Sequence, residues 1–296
     1  MSENVVIVGP GRMGLALGAA LRQADAVDRL LYIGRALEPP PHPLFDPSDP
    51  DDASSVGAEY RSGPLPIPGG TTVLILAVPD SALGDVAFDV SAGGPAPPGC
   101  AAFHLSGALS TDVLAPLHIA GYAVGSLHPL QTVADPWLSG DRLIGSAFAI
   151  AGEAPAVNTA RRLVNELAGI PLIIPPTLRP VYHAAAVLAS NYVIALLAVA
   201  ARLLEDAGVE SSSVLPALLP LVRGTIDNLE HLGIAAALTG PIPRGDIDTI
   251  RLHLARLSPE HRALYSGLGV ELLRLAREAG LDERRATEIE FLLNSG

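Results

Sequence analysis

The sequence predicts an α/β protein, a doubly wound parallel sheet followed by an all-α domain, and three observations support this fold. Short β-branched and aliphatic runs alternate with helical patterns up to about residue 174. Only helical patterns follow from about residue 180 onward. Alternation of this kind is typical of a parallel sheet that is covered by helices on both faces. The pattern changes at Pro175 and Pro176, so we predict domains at 1–176 and 177–296.

The individual elements follow from local periodicity and from residues that start or end helices. In the first domain we expect strands at 4–9, 29–33, 72–78, 100–105, 122–126, 147–151 and 170–174, and helices at 12–24 and 154–168. In the second domain we expect helices at 180–207, 212–232, 246–257, 259–279 and 283–294. The Pro-, Asp- and Ser-rich stretch 36–70 is expected to be a loop. Pro220 should kink or split the helix that contains it.

The composition is that of a folded protein with an acidic surface. Hydrophobic residues make up 49% of the 296 residues, and the net charge is −12. A chain this acidic is not expected to bind nucleic acid, because phosphate contacts need clustered cations. All 19 basic residues are arginines. The absence of lysine excludes a lysine Schiff base or a lysine general acid, so a proton must move through histidine, carboxylate, tyrosine, cysteine or water.

Sequence patterns also address location and membrane association. The N-terminal stretch MSENVVIVG lacks the basic region and the long apolar run of a signal peptide. The single cysteine, Cys100, cannot form an intrachain disulfide, so we expect a cytoplasmic protein. Cys100 lies in a predicted strand, and we expect it to pack in the core. The longest apolar stretch, 184–201, is expected to be a helix buried between domains or subunits rather than a membrane span.

A glycine fingerprint lies between the first predicted strand and the first predicted helix. It matches G-x-G-x-x-G, the dinucleotide-binding signature of a Rossmann domain. The first glycine permits the tight turn, the second lets the backbone approach a pyrophosphate, and the third lets helix and strand pack closely. The helix N-terminus then offers free N–H groups to the phosphates. The fingerprint residues are Gly9, Pro10, Gly11, Arg12, Met13 and Gly14.

The end of the second strand indicates which dinucleotide is bound. An NAD-dependent enzyme usually carries Asp or Glu there, bonded to the ribose 2′-hydroxyl. Here Gly34 takes that position and Arg35 follows it. Because a guanidinium pairs with a 2′-phosphate and an acid would repel it, we predict NADP as the cofactor. Ala77, Val78 and Pro79 end another strand and are expected to pack beside the ribose or the nicotinamide.

Three further segments carry candidate chemistry. His104 and Ser106 follow one strand, and His128 and Gln131 follow the next. A reductase needs a proton donor near the nicotinamide, and histidine titrates near neutral pH, so we predict His128 or His104 as the acid or base. Either histidine could instead only orient a loop. Arg244 lies in a glycine- and proline-bracketed loop that suits a substrate carboxylate or phosphate.

Polar residues also interrupt the long apolar helix. His183 and Asn191 lie eight residues apart and are expected to share one face of it, and Ser190 lies beside Asn191. We predict that Asn191 and Ser106 act at the catalytic centre, and that His183, Ser190, Gln131 and Arg244 bind substrate. Helix-packing hydrogen bonds remain an alternative for Asn191. The histidines at 42, 118, 231 and 261 are expected at the surface, and no histidine, cysteine or acidic cluster has the spacing of a metal site.

These motifs together resemble those of bacterial proteins that join a Rossmann domain to a helical C-terminal domain of unknown function. The resemblance covers essentially the whole chain and is carried by VGPGRMG, LAVPD, FHLSG, SLHPLQT, YHAAAVLASN and LTGPIPRGD. That family is part of a group resembling 6-phosphogluconate dehydrogenase, ketopantoate reductase, pyrroline-carboxylate reductase and prephenate dehydrogenase. The resemblance implies NADP use, a helical dimerisation domain and a site in the cleft between domains. It does not supply a substrate.

Two details of the wider group bear on mechanism. Ketopantoate reductase and the β-hydroxyacid dehydrogenases use a lysine followed four residues later by an asparagine. Val187 stands four residues before Asn191, so the asparagine is matched and the lysine is not. Prephenate dehydrogenases carry a histidine in a Gly-x-His-Pro setting, and the stretch 126–129, SLHP, is similar. That similarity supports a mechanism based on His128.

The sequence therefore predicts an NADP-dependent oxidoreductase that acts on a small, anionic oxo/hydroxy or imine/amine substrate. We expect a homodimer with no nucleic-acid or membrane partner. Two alternatives stay open. One is a catalytically silent NADP-binding sensor or partner protein, and the other is an NADP oxidoreductase with a deazaflavin-type acceptor.

Overall fold

The computed structural model describes residues 3–45, 57–63 and 66–295, and the chain divides into two units, Met1–Ser190 and Asn191–Gly296. Within the described residues, the first unit contains one eight-stranded sheet with the strand order β3-β2-β1-β4-β5-β6-β7-β8. The strands β1 to β8 are Glu3–Val8, Val27–Gly34, Glu59–Ser62, Val73–Leu76, Ala101–His104, Ala123–Pro129, Ala147–Gly152 and Ile170–Ile173.

The first strand shows why this sequence forms a buried sheet. Val5 and Ile7 pack into the core on one face, and Val6 packs into a separate core on the other face. Successive strand side chains point to opposite faces, so a continuous β-branched run suits a strand that is covered on both sides. Helices do cover both sides, which confirms the predicted doubly wound α/β fold.

The helices of the first unit fall into two layers. One core includes side chains of α1 and α5, and the other includes side chains of α2 and α3. Helix α4 packs against α1. The helices α1 to α6 are Arg12–Gln23, Leu83–Ala92, Ala115–Ile119, Pro136–Leu143, Ala154–Glu166 and Arg179–Ala189.

Two features of the sheet differ from the prediction. Strand β7 runs antiparallel to β6, and β8 then runs parallel to β7, so the sheet is mostly rather than wholly parallel. Antiparallel neighbours need no crossover connection between them. The N–H of Leu130, just after β6, donates to the carbonyl of Ala147, the first residue of β7. Strand β3 lies inside the stretch 36–70, which was predicted to be a loop. It extends the sheet beyond β2 with a register of Ile33 opposite Arg61.

The described residues of the second unit form helices and no strands. Helices α7 to α12 are Asn191–Asp206, Ser211–Ala237, Pro241–Arg244, Ile247–Arg256, Pro259–Glu278 and Glu283–Asn294. Its core is built by the last four of these helices, around Ile250, Leu273 and Ile289. Asp246, Ser258 and Asp282 accept backbone N–H bonds at the starts of α10, α11 and α12, as is usual for helix caps.

Two predictions about these helices are wrong. The expected single helix 180–207 is two helices, because Ser190 has φ −125° and ψ −73° between α6 and α7. The backbone of α8 stays helical through Pro220, and its one non-helical residue is Gly233, with φ 74°. Glycine adopts that left-handed conformation without the steric cost that other residues have.

The division between the units also falls later than residue 176. Helix α6 belongs to the first unit because its side chains hydrogen-bond there. Arg179 donates to the backbone carbonyls of Ser106 and Leu109, and Tyr182 lies 2.8 Å from His128. The last strand pattern in the sequence ends near residue 174, but the first unit continues through α6 to Ser190.

Two expectations about single residues also have clear outcomes. Cys100 is buried in the core immediately before β5, as predicted. His42 was expected at the surface, but only 6% of it is exposed. Its ring lies against Trp137 and Phe45, with ring centroids 5.5 and 6.5 Å away, and these aromatic contacts account for its burial.

Candidate functional site

The turn between β1 and α1 has the geometry of a phosphate cradle. Gly9 has φ +103°, and a Cβ atom there would lie 2.5 Å from the Ala77 carbonyl oxygen. A Cβ at Gly14 would lie 3.0 Å from the Ala77 Cβ. Only glycine lets α1 and β4 approach β1 this closely.

The start of α1 fits a bound anion. Gly11 precedes the helix, no side chain caps it, and its first turn contains no acidic residue. Its N–H groups therefore keep their hydrogen-bonding capacity, and the helix dipole favours negative charge at this end. A Cβ at Gly11 would find nothing closer than the Ala77 oxygen at 3.9 Å. The space above Gly11 is thus open to a ligand, as a pyrophosphate requires.

A cleft of about 950 Å³ opens beside this turn. Its lining includes residues at or just after the carboxyl ends of β1, β2 and β4, where Rossmann domains bind nucleotides. Eight of the eleven predicted cofactor residues line the cleft: Gly9, Pro10, Gly11, Gly34, Arg35, Ala77, Val78 and Pro79. The other three, Arg12, Met13 and Gly14, form the first turn of α1.

The structure gives Gly34 a steric reason that the sequence did not reveal. A Cβ atom at Gly34 would lie 2.9 Å from Cε2 of Tyr60 and closer still to its hydroxyl. That hydroxyl donates a 2.8 Å hydrogen bond to the carbonyl oxygen of Ala36. Tyr60 therefore occupies the place of the usual acidic side chain and fixes the chain just after Arg35. Arg35 itself is exposed along the cleft, where Asp89 of α2 also lies.

A second cluster lies where β5 ends. His104 is fully buried, and its Nδ1 accepts the N–H of Ser106 at 3.2 Å. The hydroxyl of Ser106 donates to Asp80 at 2.8 Å and accepts the N–H groups of Ala108 and Leu109. Burial, followed by the nearby charge of Arg179, lowers the pKa of His104 to about 4. Through these bonds, His104 and Ser106 hold the loop after β5 in place.

Arg179 is a site residue that sequence reasoning missed. Its side chain is fully buried, with Nε donating to the Leu109 carbonyl at 2.8 Å and Nη2 donating to the Ser106 carbonyl. Its Nη1 has no hydrogen-bond partner among the residues that the structure describes. Desolvation lowers the pKa of Arg179, whereas Tyr182 and Asp80 oppose that change. The only sequence signal is an arginine at the start of an apolar helix, and that pattern does not distinguish Arg179 from an ordinary helix-start arginine.

His128 lies at the end of β6, opposite α6. It is partly exposed, its Nδ1 is 2.8 Å from the Tyr182 hydroxyl, and its ring centroid is 5.9 Å from that of His183. A Cβ atom at Gly107 would lie 2.9 Å from His128 Nε2 and closer still to His183 Nδ1. Burial, then His183 and Arg179, lower the pKa of His128 to about 4. The imidazole is therefore neutral at pH 7.

The structure brings four predicted residues together where β5 and β6 end and α6 begins: His104, Ser106, His128 and His183. Asp80, Gly107, Arg179 and Tyr182, which were not predicted as site residues, contact this group. Gln131 lies apart from the imidazoles, since its Nε2 donates to the carbonyl of Arg142 and the hydroxyl of Ser146. Ser190 bonds to the Ala186 carbonyl and ends the first unit.

Two predicted site residues belong to the second unit. Asn191 starts α7, so it shares no continuous helix with His183 and the predicted common face is wrong. Arg244 is exposed, with Nη2 3.9 Å from Asp246. No group of three or more potential metal ligands is found within residues 3–45, 57–63 and 66–295.

Comparisons with known proteins agree with this architecture. Residues 57–129 match a Rossmann-like domain, and residues 146–272 match a domain of unknown function, DUF2520. The chain combines these two domains. The predicted resemblance is thereby confirmed, although the DUF2520 match begins in the sheet, before β7. A search of curated proteins finds no match.

Solved structures share the fold at low sequence identity. Protein TM1727 from Thermotoga maritima has a TM-score of 0.68 and 20% identity, covering 93% of this chain and 99% of that one. A pyrroline carboxylate reductase from Plasmodium falciparum with NADP bound has a TM-score of 0.58, 13% identity and 98% coverage of both chains. A reductive aminase from Aspergillus terreus in complex with NADPH has a TM-score of 0.54 and 16% identity, covering 100% of this chain and 93% of that one.

Proposed function

We propose that the protein is an NADP(H)-dependent oxidoreductase acting on a small, anionic substrate. The single observation that carries the proposal is the cleft, whose lining includes the glycine cradle before the uncapped start of α1 and also Arg35. The pyrroline carboxylate reductase and the reductive aminase named above share the fold and bind NADP or NADPH, which supports the cofactor assignment.

The chain's own residues divide between binding and proton handling. The N–H groups at the start of α1 bind the pyrophosphate, and Arg35 binds the 2′-phosphate. The cofactor supplies or accepts a hydride when bound. His128 is the acid or base, because it is partly exposed whereas His104 is fully buried. His104 and Ser106 then act as positioning residues for the loop after β5.

Replacement of Arg35 tests the cofactor assignment. Arg35→Asp removes a charge-assisted hydrogen bond to the 2′-phosphate and adds repulsion, so NADPH binding should weaken about 10- to 100-fold. NADH, which has no 2′-phosphate, should bind much as before. The measurement is calorimetric titration with each dinucleotide. Arg161→Asp, at an exposed position of α5, is the matched control. Equal losses for both dinucleotides would contradict the assignment.

The alternatives lead to different results. A silent sensor would bind NADPH but transfer no hydride to any oxo acid or imine. An enzyme with a deazaflavin-type acceptor would oxidise NADPH only when that acceptor is added. His128→Asn in a protein that still binds NADPH should abolish turnover with a small substrate, and unchanged turnover would remove His128 from the mechanism.

We also propose that the protein is a cytoplasmic homodimer. Helices α7 and α8 expose Ile194, Leu215, Leu221 and Ile226, each more than half exposed. The segment 176–206 is long and apolar enough to cross a membrane, with a mean hydropathy of 2.1 in an 18-residue window of which no part is buried. Since Ser190 interrupts the helix inside that segment, a second copy of the chain suits this face better than a bilayer. Sedimentation without detergent should give the dimer mass, and a monomer or a detergent requirement would contradict it.

A further inference from the structure

We propose that Tyr32 and Tyr60 are positioning residues that fix the two phosphate-binding parts of the cleft, so that the chain selects a dinucleotide with both a pyrophosphate and a 2′-phosphate. This inference rests on the proposed NADP(H)-dependent function and assigns the residues behind its cofactor selectivity. Tyr32 acts on the start of α1, and Tyr60 acts on the stretch that contains Arg35. Neither tyrosine belongs to the described lining of the cleft, so each acts through the backbone that it binds.

The two tyrosines stand opposite each other in the sheet. Tyr32 of β2 pairs with Tyr60 of β3, and paired residues of parallel strands point to the same face. Both rings meet the Phe45 ring edge to face, with centroids 5.2 Å and 5.8 Å from its centroid. Phe45 therefore fixes both rings on the face of the sheet that α1 covers.

The Tyr32 hydroxyl connects β2 to the first turn of α1. It donates a 2.9 Å hydrogen bond to the carbonyl oxygen of Gly14, the third glycine of the fingerprint. Tyr32 is fully buried, and this burial raises its pKa, so the hydroxyl keeps its proton and remains a donor. A Cβ atom at Gly18 would lie 2.9 Å from Cζ of Tyr32 and closer still to its hydroxyl oxygen. Gly18, one turn further along α1, is thus needed to admit the hydroxyl to this place.

This hydrogen bond fixes the part of the chain that receives the pyrophosphate. Gly14 belongs to the first turn of α1, whose N–H groups are free to bind an anion. A buried hydrogen bond from β2 to that turn restricts its motion, so less order has to be gained when the ligand binds. Tyr32 therefore contributes to pyrophosphate affinity without touching the ligand.

The Tyr60 hydroxyl fixes the part of the chain that receives the 2′-phosphate. It donates a 2.8 Å hydrogen bond to the carbonyl oxygen of Ala36, which lines the cleft next to Arg35. On the other side of Arg35, the Gly34 carbonyl accepts the N–H of Gly63, just after β3, at 2.9 Å. The exposed side chain of Arg35 thus extends from a backbone that is bonded on both sides, which lowers the cost of ordering it on a phosphate.

Removing one hydroxyl at a time separates the two roles. Tyr32→Phe and Tyr60→Phe retain both ring contacts with Phe45 and delete one hydrogen bond each. ADP and adenosine 2′-monophosphate are the probes, because both contain adenosine and each carries only one of the two phosphate groups. The affinity of each probe is measured by its displacement of NADPH, whose fluorescence reports binding.

The two variants should lose affinity for opposite probes. Tyr32→Phe should weaken ADP binding about 3- to 10-fold, the value of one neutral hydrogen bond, and leave adenosine 2′-monophosphate unchanged. Tyr60→Phe should weaken adenosine 2′-monophosphate by a similar factor and leave ADP unchanged. NADPH, which carries both groups, should bind more weakly to both variants. Tyr122→Phe, at a tyrosine that is 2% exposed in the other core of the first unit, is the matched control and should change none of these affinities.

Each outcome separates this inference from the function on which it rests. Failure of the unaltered protein to bind NADPH would overturn the proposed function itself. Full NADPH affinity in both variants, or equal losses for the two probes in either variant, would overturn the inference and leave the function standing. A probe that does not displace NADPH from the unaltered protein would overturn the role of the corresponding tyrosine.

The fold of each variant is followed by thermal unfolding. Loss of cooperative unfolding in Tyr32→Phe would assign its hydroxyl to folding and overturn its positioning role. Tyr60 is partly exposed, so its variant should stay folded and test the second half of the inference independently.

Discussion

His104 offers a test of whether a buried histidine near the site is structural, and we expect His104→Asn to change how stability depends on pH. The unfolded chain protonates His104 near its ordinary pKa of 6.5, whereas burial lowers the pKa in the folded protein to about 4. Between these values the unfolded state binds more protons, so stability falls as the pH falls from 6.5 towards 4. The full difference is about 3 kcal/mol, of which about 2.5 kcal/mol is lost by pH 4.5.

Asparagine suits this test because its side-chain oxygen can still accept the N–H of Ser106, while it takes up no proton. Urea unfolding at pH 7 and at pH 4.5 is followed by the fluorescence of Trp137, the single tryptophan, which lies on α4 of the first unit. The unaltered protein should lose about 2.5 kcal/mol more than the variant over that interval. His231→Asn, at an exposed histidine, should behave like the unaltered protein. An equal pH dependence for His104→Asn and the unaltered protein would refute the buried, neutral role of His104.

Two further replacements test the packing around the site. Gly34→Asp should lower the melting temperature, since the new side chain meets the Tyr60 ring, and the double variant with Tyr60→Gly should recover stability and gain affinity for NADH. No recovery in thermal unfolding would contradict the steric role of Tyr60. Arg179→Met should destabilise the first unit by about 2–4 kcal/mol because the carbonyls of Ser106 and Leu109 lose their donor. Urea unfolding measures this, and a loss below 1 kcal/mol would show that the guanidinium is not needed there.

Much of the fold could be predicted because its signals are local. The run Val5–Ile7 is β-branched and serves two cores, so it predicts a buried strand, and Gly9 marks the turn that follows. Strand β3 could not be predicted, because its residues, EYRS, are mostly polar and, within the described part of the chain, they form the edge of the sheet and pair with β2 alone. The antiparallel direction of β7 could not be predicted from the sequence either, since strand direction depends on the path of the connecting chain rather than on composition.

Sequence reasoning identified site residues only where a motif contains a residue type with a known chemical role, such as histidine. His128 and His183 stand out in the sequence, but their meeting at Gly107 depends on how α6 packs against the first unit. Arg179 resembles an ordinary helix-start arginine until its two carbonyl partners are seen. The same packing explains why the structural division lies after Ser190 rather than at residue 176.

The most direct test of the account is calorimetric titration of the purified chain with NADPH and with NADH. A glycine cradle with a guanidinium at the ribose predicts one NADPH site per chain, with NADPH bound at least about tenfold more tightly than NADH. Absence of binding by either dinucleotide at millimolar concentration would contradict the central claim.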